Sequence, residues 1–268
     1  MNRDDEYLLA NASAGAARRL RLLAEVFDPV TFRHFDALGV GDGWRCWEVG
    51  AGGDSVVHEL ARHVGVDGGV VATDIDPSHI SAHPGVEVLT HDVAADPPPG
   101  GDFDLIHARL VLVHVREREA ALTAMVSALR PGGWLLIEDA DPALQPLACV
   151  DEQGPAEQLA NHLRRGFRQL MADRGADLAF GRTLPRRLRE AGLEQVAADG
   201  YFPLSSPAGR ALEAATLEQV GDQLIADGLA TREQLSDHLD RLGQGSIDVT
   251  MAPMISAWGT KPGGGPRP

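Results

Sequence analysis

Between residues 44 and 138, short apolar runs alternate with stretches whose apolar residues recur at helical spacing. Residues 44–49, 70–73, 86–89, 103–107 and 134–138 are each too short and too apolar for a surface helix and read as buried strands. Between them, Val56, Val57, Leu60, Ala61 and Val64 fall on one face of a helix over 55–64. Ala121, Leu122, Met125, Val126 and Leu129 repeat that spacing over 117–129. A shorter helix is predicted at 77–82, with His79 and His83 one turn apart. Arg130-Pro131-Gly132-Gly133 stops the helix before the fifth strand. Strands alternating with helices imply a parallel sheet covered on both faces, a doubly wound α/β architecture.

The flanks follow a different pattern. Residues 5–38 are helical, with Leu8, Leu9, Leu20, Leu22, Leu23, Val26 and Phe27 as apolar positions and Asp28-Pro29 as punctuation. Residues 151–178 are helical but polar, and carry Arg164, Arg165 and Arg168, a basic cluster that could bind an anionic substrate group but reads first as a solvated face. A helix over 183–191 leads to a strand over 193–204. Residues 207–243 are helical again, and 249–258 form a last strand. The expected organisation is a helical cap at 1–40, a ligand-binding core at 41–141 and a helical lid at 142–182. The rest of the sheet follows at 183–260, interrupted by helices at about 205–245, with a disordered tail at 261–268.

Composition adds limits. With 44% hydrophobic residues, 268 positions suffice for one core with a cap. The net charge of −15 opposes binding to nucleic-acid phosphates or anionic membrane surfaces. No apolar run spans a bilayer, and the polar start MNRDDEYLLA lacks a signal-peptide core. Cys46 and Cys149 suggest no disulfide framework, so a reducing cytoplasm is expected.

In a doubly wound sheet the ligand binds beyond the carboxyl ends of the strands. The first such end reads Glu48-Val49-Gly50-Ala51-Gly52-Gly53. Gly50 and Gly52 allow a tight turn and close backbone approach, but Ser55 stands where a dinucleotide fold places its third glycine. Glu48 would repel a pyrophosphate and suits an ammonium group. Asp74 ends the second strand 22 residues after Gly52, the position of an acid that accepts from ribose hydroxyls. Asp92, at the end of the third, can accept from an adenine amino group. Ribose, adenine and a cationic amino acid together describe S-adenosyl-L-methionine.

Five segments in order carry a family resemblance: WEVGAGGDS, VVATDIDP, VLTHDVA, FDLIHARLVLVHV and LRPGGWLLIEDAD. With these, residues 44–141 resemble the class I S-adenosylmethionine-dependent methyltransferases, and the flanks resemble the caps of members acting on small molecules. The resemblance implies a Rossmann-like methyltransferase fold: a seven-stranded, mostly parallel sheet with an antiparallel last strand and helical lid segments. It implies that Glu48 faces the cofactor's amino group, with Gly50, Ala51 and Gly52 passing under its methionine part. Asp74 would hold the ribose and Ile75 pack on adenine. Asp92 and Val93 would contact the adenine edge, and backbone near Ala108 and Arg109 would close over the methionine end. S-adenosyl-L-homocysteine would be the product and a small organic molecule the acceptor, and the resemblance leaves a homodimer open.

The methyl acceptor of such an enzyme can use a general base, and His114 is the first candidate, Asp139 the second. His107 reads as a strand-end residue behind the site, and His34 ranks below it. Glu138, Asp139 and Asp141 form an acidic cluster without a metal-ligand spacing, so no metal is expected. HARL after the fourth strand lacks the Asn-Pro-Pro-Tyr type of motif of nucleic-acid amino methyltransferases. Alternatives are a non-methylating cyclase or eliminase of the same fold, a non-catalytic cofactor-binding partner subunit, and a nicotinamide-dependent dehydrogenase, which Glu48 and Ser55 disfavour.

Overall fold

A computed structural model of the protein describes residues 8–9 and 15–263. In chain order its elements are α1 (Ala16–Leu38), β1 (Arg45–Val49), α2 (Asp54–Val64), β2 (Gly69–Asp74), β3 (Val86–Thr90), β4 (Phe103–Arg109), α3 (Arg118–Ala128) and β5 (Leu129–Ala140). Then come α4 (Pro155–Asp173), α5 (Leu184–Glu190), β6 (Glu194–Tyr201), α6 (Pro207–Ala226), α7 (Arg232–Gln244) and β7 (Met254–Thr260). The sheet runs β3-β2-β1-β4-β5-β7-β6, parallel except for β7, which pairs antiparallel with both β5 and β6. The order reverses between β1 and β4, so loops leaving these strands diverge and open a crevice.

Alternation along the strands sorts side chains onto two buried faces. Trp47, Val49, Ile106 and Ile137 pack with α3 and α5 on one face. Cys46, Val70, Ala72 and Leu105 pack with α2 and Phe35 of α1 on the other. A third cluster lies beyond the sheet. There Phe27 of α1, Leu163 and Leu170 of α4, Leu217 and Leu224 of α6, and Leu235 and Leu242 of α7 share one apolar core. Cap segments far apart in sequence thus form one body over the crevice.

Several elements differ from the sequence expectation. Asp28-Pro29 does not divide α1, which continues through Pro29. The backbone bond forgone at Pro29 is offset by anchorage to the sheet: Asp28 pairs with Arg109 at 2.9 Å, and the Thr31 hydroxyl donates to Glu138. His79 and His83 do not share a helix, because only the single turn Pro77–His79 forms before the chain extends. The segment between β4 and α3 is a series of turns. The tail is tied down at its start: Lys261 Nζ donates to the Leu129 carbonyl at 2.6 Å and the Ser127 carbonyl at 2.9 Å. Residues 264–268, expected to be disordered, and residues 1–7 and 10–14 of the expected cap lie outside the described residues. Both cysteines are buried free thiols. Among the described residues no helix is long and apolar enough to cross a membrane.

Candidate active site

The strand-end loops of β1, β2, β3 and β4, with Ala140 at the end of β5, border a single cleft of about 1360 Å³. Its floor is built by the turn after β1. Gly50 and Gly52 hold φ of 62° and 64°, conformations that cost other residues steric strain. A Cβ on Gly50 would lie 2.5 Å from Val111 Cγ2, so this turn and the loop after β4 pack without room for a side chain. The Gly52 N–H donates to Asp74 Oδ2 at 2.8 Å and the Asp76 N–H to Oδ1 at 2.9 Å. These bonds fix a nearly buried carboxylate at the edge of the cleft, and each oxygen can accept further donors. Burial raises the Asp74 pKa against the pull of those backbone donors. Beside it Ile75 is 56% exposed, a large apolar side chain presented at the rim, and Val93 and Asp92 line the next wall. Asp92 also serves its own turn, its Oδ1 accepting from the Ala94 N–H at 2.9 Å. Leu110, the first residue after β4, holds φ 58°, an uncommon conformation for a non-glycine residue and one that often marks a site.

The expected cofactor residues Gly50, Ala51, Gly52, Asp74, Ile75, Asp92, Val93 and Arg109 all line the cleft. Arg109 does so with its guanidinium engaged by Asp28 and by the Thr31 hydroxyl at 2.9 Å, clamping α1 beside the turn. Glu48 and Ala108 do not line it. Glu48 points to the α1 side of the sheet, where Oε2 meets His107 Nδ1 at 2.6 Å. Its place opposite an ammonium group is therefore corrected: strand alternation turns its side chain from the cleft lining toward the buried His107.

That contact starts a row of polar side chains crossing the sheet. His107 lies opposite Glu48 in the register, and its Nε2 is 3.3 Å from Glu138. Glu138 accepts from Ser256 Oγ at 2.7 Å and meets His34 Nδ1 of α1 at 2.8 Å. His34 Nε2 reaches Asp199 of β6 at 3.2 Å. Burial alone would depress the His107 pKa, but Glu48 and Glu138 raise it to about 9. Burial opposes charge on Glu138 as well, and the two histidines and Thr31 hold it ionised, far below the usual carboxylate range. His34 is likewise raised by Glu138 and Asp199 in spite of burial. Burial pushes the Glu48 carboxyl up, against the pull of His107. His107 and His34, weighed above as bases, thus belong to this row.

His114 lines the cleft, as a base must. Burial, then the charges of Arg19 and Arg118, lowers its pKa to about 4, so it is neutral at pH 7 and a weaker base than an ordinary imidazole. Asp139, the second candidate, does not line the cleft and is wholly buried. Its Oδ2 accepts from the Val113 N–H at 3.2 Å, and desolvation, outweighing its backbone donors, raises its pKa to about 8. It props the loop that presents His114 and does not reach a reacting atom. The acidic cluster at 138–141 is likewise dispersed: Asp141 holds Arg182 at 2.6 Å, and no group of metal-binding geometry occurs among the described residues.

The individual residues of the outer half of the cleft were not picked out from the sequence, although a helical cap and lid were expected there. Leu20, Ala24 and Phe27 of α1, Arg164, Phe167, Arg168 and Met171 of α4, and Leu212 and Thr216 of α6 line it. The signal was present: the α4 residues fall at i, i+3, i+4 and i+7, one helical face.

The methyltransferase-domain family model matches residues 11–198, and the chain belongs to the class I S-adenosylmethionine-dependent methyltransferases. S-adenosylmethionine is the cofactor of that family. A ubiquinone/menaquinone biosynthesis C-methyltransferase of Vibrio parahaemolyticus is 32% identical over 126 residues, 43% of this chain and 49% of that one. A methyltransferase of Strobilurus tenacellus is 30% identical over 147 residues, 54% of this chain and 51% of its own. The chain spans about half the length of the curated relatives it matches. Among solved structures, a protein of Anabaena variabilis described as a methyltransferase from an antibiotic biosynthesis pathway superposes with TM-score 0.59 at 16% identity, covering 87% of this chain and 96% of that one. A Haemonchus contortus phosphoethanolamine N-methyltransferase with bound S-adenosylhomocysteine gives 0.52 at 14% identity, covering 92% and 52%. At these identities both show the fold.

Proposed function

We propose that the protein transfers a methyl group from S-adenosylmethionine to a hydroxyl or amine of a small organic acceptor of the specialised-metabolite kind. The observation that carries this reading is the size of the cleft. At about 1360 Å³ it exceeds the roughly 300–1,000 Å³ typical of a single small-ligand pocket, so two ligands can lie side by side. The inner half suits the cofactor: a close-packed glycine turn, an oriented carboxylate at Asp74 and an apolar platform at Ile75. The bound cofactor supplies an electrophilic methyl on a sulfonium. The protein supplies alignment and exclusion of water, through α1, α4 and α6 roofing the outer half. His114, neutral and lining the cleft, is our candidate to take the acceptor's proton, a role its lowered pKa makes weak.

The test is incubation with methyl-deuterated S-adenosylmethionine and a panel of phenols, alcohols and amines, read by mass spectrometry. Label in the product is expected. Turnover without label would replace methyl transfer by cyclisation or elimination on the same scaffold. Calorimetric titration is expected to show binding of S-adenosylmethionine and none of NAD.

A further inference from the structure

The cleft is electrostatically divided. Asp54, Asp74, Asp76, Asp92 and Asp96, with the Asp28-paired Arg109, border its inner half, whereas Arg164, paired with Glu213, and Arg168 of α4 face its outer half, with Arg174 just past the helix end. In a chain of net charge −15, cations gathered on one wall of an apolar chamber require a physical reason. Arg164 has one. It is buried and bonded to Glu213 of α6 at 2.8 Å and to the Thr250 carbonyl at 3.0 Å. Arg168, one turn on, has none. Among the described residues it makes no ion pair and no hydrogen bond, and its Nε is shielded from solvent without a partner. Arg21 and Arg116, which also border the cleft, are exposed and solvated at its rim. Arg168 is only partly buried, but its Nε is a donor shielded from solvent without a partner, a cost that an anion in the cleft would offset. Partial burial, and then the neighbouring charge of Arg164, hold its pKa below the usual arginine value.

Building on the function proposed above, we propose that Arg168 recognises an anionic group on the methyl acceptor, which is therefore a carboxylate- or phosphate-bearing molecule with an otherwise apolar body. The planar fork of Arg168 suits two oxygens of such a group. Phe167 and Met171 on the same helical face, with Phe27 and Leu212 opposite, offer contact to the apolar remainder. Arg174 adds positive potential past the C-terminal end of α4, its own bond being to the Leu170 carbonyl at 3.3 Å. The anionic end then docks on α4 and the nucleophilic end points toward the inner half.

The experiment uses the protein saturated with S-adenosylhomocysteine. It is titrated calorimetrically with aryl and alkyl carboxylates, the matching phosphate monoesters and the matching neutral amides. Acids are expected to bind roughly ten- to a hundredfold more tightly than their amides, the weight of charge-assisted hydrogen bonds. In R168Q and R168M that preference is expected to vanish, with S-adenosylhomocysteine affinity and thermal midpoint retained, and in R168K part of it is expected to return. The larger Arg168-dependent preference, for carboxylates or for phosphates, identifies the group. Equal binding of acid and amide, a preference that survives R168Q, or no acid binding at millimolar concentration would overturn the proposal. So would loss of S-adenosylhomocysteine affinity in R168Q, which would make Arg168 a ligand of the cofactor's own carboxylate. Failure of the unmodified protein to bind S-adenosylhomocysteine would instead overturn the function on which the proposal rests.

Discussion

Single residues separate the cofactor half of the site from its supports. Asp74 is held by two backbone donors at the cleft edge. D74A is expected to weaken S-adenosylmethionine binding by about 1–3 kcal/mol, the cost of unpaired ribose hydroxyls, as read by calorimetry. H114Q is expected to lower kcat more than cofactor affinity in single-turnover assays. With a base pKa of about 4, the rate should show no acidic limb between pH 5 and 8 that depends on His114. Asp139 behaves differently. Its folded pKa of about 8 lies above the unfolded value, so the native state holds the extra proton and stability falls as pH rises from about 4 to 8. D139N abolishes that loss, and its thermal midpoint relative to the unmodified protein is expected to climb from pH 5 to 8. Parallel midpoints would remove Asp139 as a protonated support. Asp74 was legible in sequence because strand-end position and spacing are local properties. The direction of Glu48 depends on which sheet face its strand parity selects, and on a partner 59 residues away. A trace of this was readable: Glu48, His107 and Glu138 each interrupt an apolar strand at its interior, which is unusual unless they meet.

At the scale of elements, these interruptions join neighbouring strands to α1. Two raised histidines, His34 and His107, lie at the centre of the row. A histidine whose folded pKa is raised stabilises the native state below its unfolded pKa, near 6.5, and loses that contribution as pH climbs through the folded value. The loss at His107 therefore falls between about 6.5 and 9. Denaturation with urea at pH 6.5 and 9 is expected to show a smaller pH difference in H107Q than in the unmodified protein. An unchanged difference would remove His107 from the linkage. The continuity of α1 through Pro29 belongs to this scale too. Local propensity predicted a break there, and anchorage of Asp28 and Thr31 to β4 and β5 overrides it. The core strands and α2 were legible because period and burial agree. The end of the sequence-predicted helix at His79 was not, because Pro84 and the extended backbone at Ile80 outweigh the spacing of two histidines.

For the whole molecule, the sheet was readable from its alternation and the roof was not. Residues 5–38, 151–178 and 207–243 each read as helical stretches, and nothing local says that their apolar faces meet. Leu224 shows how closely they do: a Cβ on Gly166 of α4 would lie 3.1 Å from its Cδ2. L224A, at a fully buried site, is expected to cost about 2–5 kcal/mol in chemical denaturation. It should raise the acceptor KM while S-adenosylhomocysteine binding is kept. Equal damage to both affinities would mean that the roof and the cofactor floor form one cooperative unit. The shared core also bears on engineering. If the roof selects the acceptor as proposed, that choice is not stored in exchangeable cassettes, since a graft of the central lid alone from a relative would set its apolar face against two foreign partners. A chimera that changes the acceptor while keeping the fold must transplant three stretches of chain together, or redesign the seam where they touch.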